Sequence, residues 1–213
     1  MSKNEHVVFL VDDDPDTSES ISDLLASVGL STMAFGSIRE YLDIPKADIP
    51  ACLVLDVGLP ELSGLDFQSQ IVDDDHPPIV FITGRPDVPS TVRAMKRGAV
   101  DFLIKPFHDT DLLSAVWAAI DRDRKRRETA AELSMLRRSL SELTPREREV
   151  FPLIVSGLLN KQAAAKLGIS EVTFQIHRGK VMQKMKAASL PDLVRMAAKL
   201  GIDITYSRHS SAR

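Results

Sequence analysis

The chain has 213 residues, 44% hydrophobic and 27% charged, the composition of a globular protein long enough for two domains rather than one. Its apolar runs fall far short of the roughly 20 residues a membrane helix needs, and no basic-then-apolar leader opens it, so a cytoplasmic protein with no membrane partner is expected. The net charge of −3 conceals an asymmetry: residues 1 to 120 carry 8 Lys+Arg against 20 Asp+Glu, residues 121 to 143 carry 7 against 5, and residues 144 to 213 carry 12 against 5, which points to two domains with different partners, the second a nucleic acid.

Val7-Val8-Phe9-Leu10-Val11 reads as a first strand and runs straight into Asp12-Asp13-Asp14. A helix follows from Thr17 to Val28, with Ile21, Leu24, Leu25 and Val28 at helical spacing and Gly29 as its stop. A short strand near Thr32 to Phe35 and a helix near Ser37 to Leu42 come next. The third strand, Leu53-Val54-Leu55, ends in Asp56. The single cysteine, Cys52, lies in this strand, which excludes an intrachain disulfide and predicts a buried structural residue. A helix near Gly64 to Val72 leads to a fourth strand, Ile79 to Ile82, that runs into Thr83. Pro89 to Arg97 reads as a helix stopped by Gly98, and a fifth strand, Val100 to Ile104, runs into Lys105-Pro106. Five strand and helix pairs imply a doubly wound parallel sheet with helices on both faces.

From Asp109 to Leu143 neither proline nor glycine interrupts the chain, so one helix of about 50 Å is allowed at 1.5 Å per residue. Leu112, Leu113, Val116, Trp117 and Ile120 are expected to pack its first third on the sheet. Leu133, Leu136, Leu140 and Leu143 follow a 3-4-3 heptad spacing, but the same register run backwards meets Thr129, Arg126 and Arg122. A short or switchable helical pairing is therefore favoured over a solvated connector. Thr144-Pro145-Arg146-Glu147 is a capping box with proline at the first helical position. Helices are then expected at Pro145 to Ser156, Lys161 to Leu167, Glu171 to Lys186 and Pro191 to Leu200, with Asn160, Ser170 and Ser189 as N-caps and a frayed tail from Tyr206 to Arg213.

Open α/β sheets place their sites at the carboxyl ends of their strands. Asp12-Asp13, Asp56, Thr83 and Lys105-Pro106-Phe107 all fall there, and clustered carboxylates with a hydroxyl and an ammonium suit a divalent cation and a phosphoryl group. This set, over roughly residues 5 to 122, resembles the receiver domain of two-component response regulators, a flavodoxin-like and CheY-like fold. By that resemblance Asp56 is the phosphoacceptor, taking phosphate from a sensor histidine kinase. Asp13 and Asp56, with the carbonyl of Gly58, would hold Mg²⁺, and Asp12 would act through a coordinated water. Lys105 and Thr83 would contact phosphate oxygens, and Phe102 would be the switch aromatic that turns inward when Thr83 moves. Gly58 and Arg85 stand where the family tunes hydrolysis of the acyl phosphate. Taken singly, Thr83 could instead cap a helix, Lys105 could be a surface lysine, and Phe102 could be core.

Residues 144 to 205 resemble the LuxR-type, or NarL/FixJ-type, helix-turn-helix domain, through Leu143-Thr144-Pro145-Arg146-Glu147-Arg148-Glu149-Val150, Gly157, Asn160-Lys161, Leu167-Gly168-Ile169-Ser170, Val172-Thr173 and His177-Arg178. The two domains together are closest to FixJ-like regulators. Helical spacing puts Phe174, Val181 and Met185 on the core side of the recognition helix and Gln175, Ile176, Gly179, Lys180 and Gln183 on the other. That outward face, with Thr173, is expected in the major groove of double-stranded DNA, where Gln175 would read adenine and Ile176 would touch a thymine methyl. Lys161, Arg178, Lys180 and Lys184 are expected on phosphates, and His177 either packs or touches phosphate. Gly179 lowers helix propensity by about 1 kcal/mol relative to alanine, and close approach to DNA is one reason for it.

The sequence therefore predicts a receiver at 1–122, a helical linker at 123–143, a helix-turn-helix domain at 144–205 and a flexible tail at 206–213. It predicts a non-enzymatic transcription regulator, homodimeric on phosphorylation, with the last helix resembling the family's dimer helix and RNA polymerase a further candidate partner. The alternative is a phosphate sink or interaction protein whose helical domain does not bind DNA.

Overall fold

The computed structural model of the chain describes residues 6–45, 48–71 and 76–202. The expected tail, the last residues assigned to the second domain and the end of the helix expected to reach Val72 lie outside them. Four runs rich in Val, Ile, Leu and Phe, and the more polar run Ser31–Phe35, form the strands β1 (Val7–Val11), β2 (Ser31–Phe35), β3 (Ala51–Asp56), β4 (Ile79–Thr83) and β5 (Asp101–Ile104). All pair in parallel in the order β2-β1-β3-β4-β5. The three central strands are buried along their whole length while β2 and β5 are partly exposed, as continuous apolar runs in a sheet covered on both faces require.

The side-chain period of two divides the core into two layers. Phe9, Val11, Leu53, Leu55 and Phe81 share one layer with Tyr41, Phe67 and Ala94, from α2 (Ile38–Asp43), α3 (Gly64–Gln70) and α4 (Val88–Lys96). Val8, Leu10, Cys52, Val54, Val80 and Ile82 share the other with Ile21, Leu25, Leu112, Val116 and Ile120, from α1 (Pro15–Ser27) and α5 (Asp109–Ser141). Each fully buried Leu, Ile or Val contributes roughly 1.5–3 kcal/mol, so the first three turns of α5 are firmly anchored. Trp117 departs from the expected packing: it is 40% exposed, with its ring edge-on to His6 at 5.4 Å, because it falls off the stripe formed by Leu112, Val116 and Ile120.

The long helix is unbroken over 33 residues, and the chain divides into two compact units between Glu128 and Thr129. In the first unit Asp123, fully buried, accepts the backbone N–H of Ala51 at 2.9 Å and is ion-paired to Arg126 and Arg127. In the second unit α6 (Pro145–Val155), α7 (Asn160–Leu167), α8 (Glu171–Lys184) and α9 (Leu190–Lys199) surround a core of Val150, Phe151, Ile154, Phe174, Val181, Met185 and Leu193. Leu140 and Leu143 of the leucine seam pack on this same core, so that end of the seam is covered by its own chain. Thr144 and Glu147 form the expected reciprocal cap, at 3.3 and 2.9 Å. Ser170 and Ser189 cap α8 and α9. Asn160 does not cap α7: Leu159 holds that place, and the Asn160 carboxamide oxygen accepts instead from Arg178 at 2.9 Å.

Candidate functional site

The register fixes what meets at the carboxyl edge of the sheet. Val11 lies beside Leu55, Asp56 beside Ile82 and Thr83 beside Ile104, so Asp12, Asp56, Thr83 and Lys105 emerge from adjacent strand ends. Asp12 and Asp56 are buried while Asp13 is exposed, and one oxygen from each of the three lies within 4.8 Å of the others. The Lys105 ammonium is 2.6 Å from Asp12 Oδ2 and 3.8 Å from Asp56 Oδ1. Asp14 is not part of the cluster, because it caps α1, accepting the Asp16 N–H at 3.2 Å and the Thr17 hydroxyl at 2.6 Å; that hydroxyl holds its carboxyl below the ordinary range.

Burial pushes the Asp56 carboxyl above its ordinary pKa, with Asp12 and Asp13 adding to the shift and Lys105 opposing it. Three carboxylates face one ammonium, which leaves two negative charges in a largely buried pocket of hard oxygen donors. A divalent cation with oxygen preference, Mg²⁺ among them, fits both the charge and the donor type. Gly58 turns the backbone past this pocket, its absent Cβ position 3.5 Å from Asp56 Oδ2.

Thr83 is buried, and its hydroxyl oxygen accepts the N–H of Arg85 at 3.2 Å. It holds the loop after β4 and does not cap α4, whose N-cap is Asp87. Phe102 is half-buried, packed on the first core layer with its ring 5.9 Å from that of Phe81. It is core contact and sheet-edge residue at once. No local pattern marks Gly64: a Cβ there would lie 2.6 Å from the Asp56 carbonyl oxygen, so α3 is pressed against the strand end that carries the acid.

On α8, Phe174, Val181 and Met185 are buried and Gln175, Ile176, Gly179, Lys180 and Gln183 are exposed, as the spacing predicts. Lys161 is exposed, and Thr173 is half-buried with its hydroxyl 2.8 Å from that of Ser170. His177 is half-buried. Two expected phosphate ligands are engaged inside the domain: Arg178 on Asn160, and Lys184 on Glu147 at 2.7 Å and on the Glu142 carbonyl at 3.2 Å. Both lie toward the flank of α8, within reach of α7 and α6, where a long cation finds an acceptor in its own chain.

An acidic pocket on a parallel sheet, followed by a basic helical unit with one helix face bare, is the arrangement of a two-part regulator with a receiver and a LuxR-type DNA-binding domain. Residues 8–117 match the model of the response regulator receiver domain, and residues 141–197 match that of the bacterial regulatory proteins, luxR family. The chain belongs to the response regulators that join a receiver to a LuxR-type helix-turn-helix, with FixJ-like transcription regulators among its relatives. It is 52% identical over 205 residues to nodulation protein W of Bradyrhizobium diazoefficiens, spanning 96% of this chain and 90% of that one. Identity to the transcriptional regulatory protein FixJ of Azorhizobium caulinodans is 41% over 196 residues, spanning 92% and 93%. The solved structure of the response regulator StyR superposes with a TM-score of 0.81 at 40% identity, covering 92% of this chain and 99% of that one. The receiver implies a histidine kinase partner, and the LuxR-type domain implies DNA. Among the described residues no helix is long and apolar enough to cross a membrane.

Proposed function

We propose that phosphorylation of Asp56 by a sensor histidine kinase controls sequence-specific DNA binding by the helical unit, and so transcription, in the cytoplasm. The observation that carries this reading is the convergence of Asp12, Asp13, Asp56 and Lys105 at one strand edge. An Asp56 carboxylate oxygen attacks the phosphorus of a phosphohistidine donor. The O–P bond forms as the N–P bond breaks, and the imidazole leaves as the neutral ring after taking up a proton. Asp13, Asp56 and the Gly58 carbonyl would hold Mg²⁺, with Asp12 reaching it through water, and the ion supplies charge neutralisation for the incoming phosphoryl oxygens. Lys105, already 3.8 Å from Asp56, takes one phosphoryl oxygen, exchanging part of its bond to Asp12. The Thr83 hydroxyl donates its hydrogen to another, and Phe102 follows Thr83 inward.

Phosphorylation then shifts an existing equilibrium toward a homodimer competent to bind DNA, with RNA polymerase a further partner at the promoter. In the major groove Gln175 and Ile176 read bases, Thr173 lies at the groove edge, and Lys161 and Lys180 bind phosphates. Arg178 and Lys184 set the position of α8 through Asn160 and Glu147, and reach phosphate only by exchanging those partners.

The test is binding to a pool of random duplexes with Mg²⁺, before and after a small phosphoryl donor, for wild type and Asp56→Asn. Phosphate-enhanced, sequence-selective binding that is lost in Asp56→Asn is expected. Full phosphate-dependent binding by Asp56→Asn would refute the mechanism, and no DNA binding by any form would move the protein-interaction reading to first place.

A further inference from the structure

Gly179 sits in the interior of α8, where glycine disfavours the helix relative to alanine. Six other glycines of the described residues have an internal reason: Gly29, Gly98, Gly157, Gly168 and Gly201 hold positive φ, and Gly64 faces the Asp56 carbonyl; Gly36, Gly58 and Gly84 lie in loops, where no helix is weakened. Gly179 has neither. Its φ lies outside the left-handed region and a Cβ built on it meets nothing within 4 Å, so the chain itself has room for a larger residue. The residue is exposed, on the same bare face as Gln175, Ile176, Lys180 and Gln183. A helical Cβ leans back over the preceding turn, so the missing methyl opens a notch beside Ile176 and Gln175, the two residues assigned to base contacts.

From this we infer that Gly179 is a specificity-determining residue of the DNA interface: its bare backbone lets the wall of the major groove approach α8 closely, and this sets how far Gln175 and Ile176 enter. The inference rests on the reading of α8 as the groove helix. The glycine thus weakens the helix in the free protein and strengthens the complex, so its removal should move stability and binding in opposite directions.

The experiment uses the full phosphorylated chain, the duplex selected from the random pool, and the variants Gly179→Ala, Gly179→Leu and Lys180→Ala. Gly179→Ala should raise the melting temperature of the helical unit by roughly 4–8 °C and weaken selected-duplex binding at least tenfold, with Gly179→Leu weaker still. Lys180→Ala should weaken binding to selected and random duplexes alike and lower the salt slope by about 1. If Lys180→Ala behaves so while Gly179→Ala binds as tightly as wild type, this inference falls and the DNA reading stands. A lower melting temperature for Gly179→Ala would show that the chain itself needs the glycine, which also overturns the inference. If wild type binds no duplex at all, the DNA reading fails first and the inference with it.

Discussion

At Gly64 a Cβ would stand 2.6 Å from the Asp56 carbonyl oxygen and 3.0 Å from Leu55 Cγ. The first obstacle is backbone, so an added methyl can be housed only by moving α3 or the end of β3. Overpacking of this kind costs about 1–3 kcal/mol. Gly64→Ala is therefore expected to destabilise the receiver by that amount and to displace the carboxylate from Lys105 and from its two acidic neighbours. Thermal unfolding reads the first effect and the rate of phosphorylation by a small donor reads the second. Unchanged values of both would mean that the strand end yields freely and that Gly64 has no positioning role. The carboxylates and the lysine were legible in the sequence, because each ends a recognisable apolar strand and parallel strands deliver their ends to one edge. Gly64 was not, since its role depends on how closely a helix lies on a strand and no local pattern encodes that distance.

Among the elements, the start of α6 and the end of α8 are joined by Glu147 and Lys184, 37 residues apart in sequence. Glu147 is 2% exposed. Its bond to Lys184, then the Thr144 backbone N–H, hold its pKa at about 2 against an ordinary 4.5. A folded pKa below the unfolded one means stability that is fully present above about 4.5 and lost progressively as pH falls toward 2. Glu147→Gln should destabilise the helical unit at neutral pH, and the gap between wild type and variant should narrow through that window. A gap independent of pH would show that the glutamate acts through packing alone. Capping was legible where the local spacing is explicit: Thr144, Ser170 and Ser189 cap as expected, whereas the caps at Asp14 and Ser37 are seen only in the fold. Asn160 was misread as a cap and the internal bond of Lys184 went unseen because their partners, Arg178 and Glu147, lie 18 and 37 residues away, where helical periodicity carries no information. The tie from Asp123 to the first residue of β3, across 72 residues, was hidden for the same reason.

For the whole molecule, two cores with separate residue sets are threaded on one helix, α5, and the chain divides within it, between Glu128 and Thr129. Each unit has its own charge: the first unit gathers three carboxylates around a single lysine, and the second is net basic. Burial raises the Asp56 pKa, so its ionised form costs the receiver stability at neutral pH, a cost that is absent below the ordinary 3.8 and grows as pH rises through the raised value. A cation bound among Asp12, Asp13 and Asp56 would relieve that cost, whereas a polyanion such as duplex DNA would not. Calorimetry of the unphosphorylated chain is thus expected to resolve two transitions. Mg²⁺ should raise only the receiver transition and duplex DNA only the helical one, each by about 2.7 kcal/mol of stabilisation at a free ligand concentration 100 times its Kd. Phosphorylation would then be read as coupling, a change in the helical transition produced by a group bound only to the receiver. One transition shifted equally by either ligand would instead mean that α5 already transmits between the units before Asp56 is modified, and the proposed switch would have no independent states to connect.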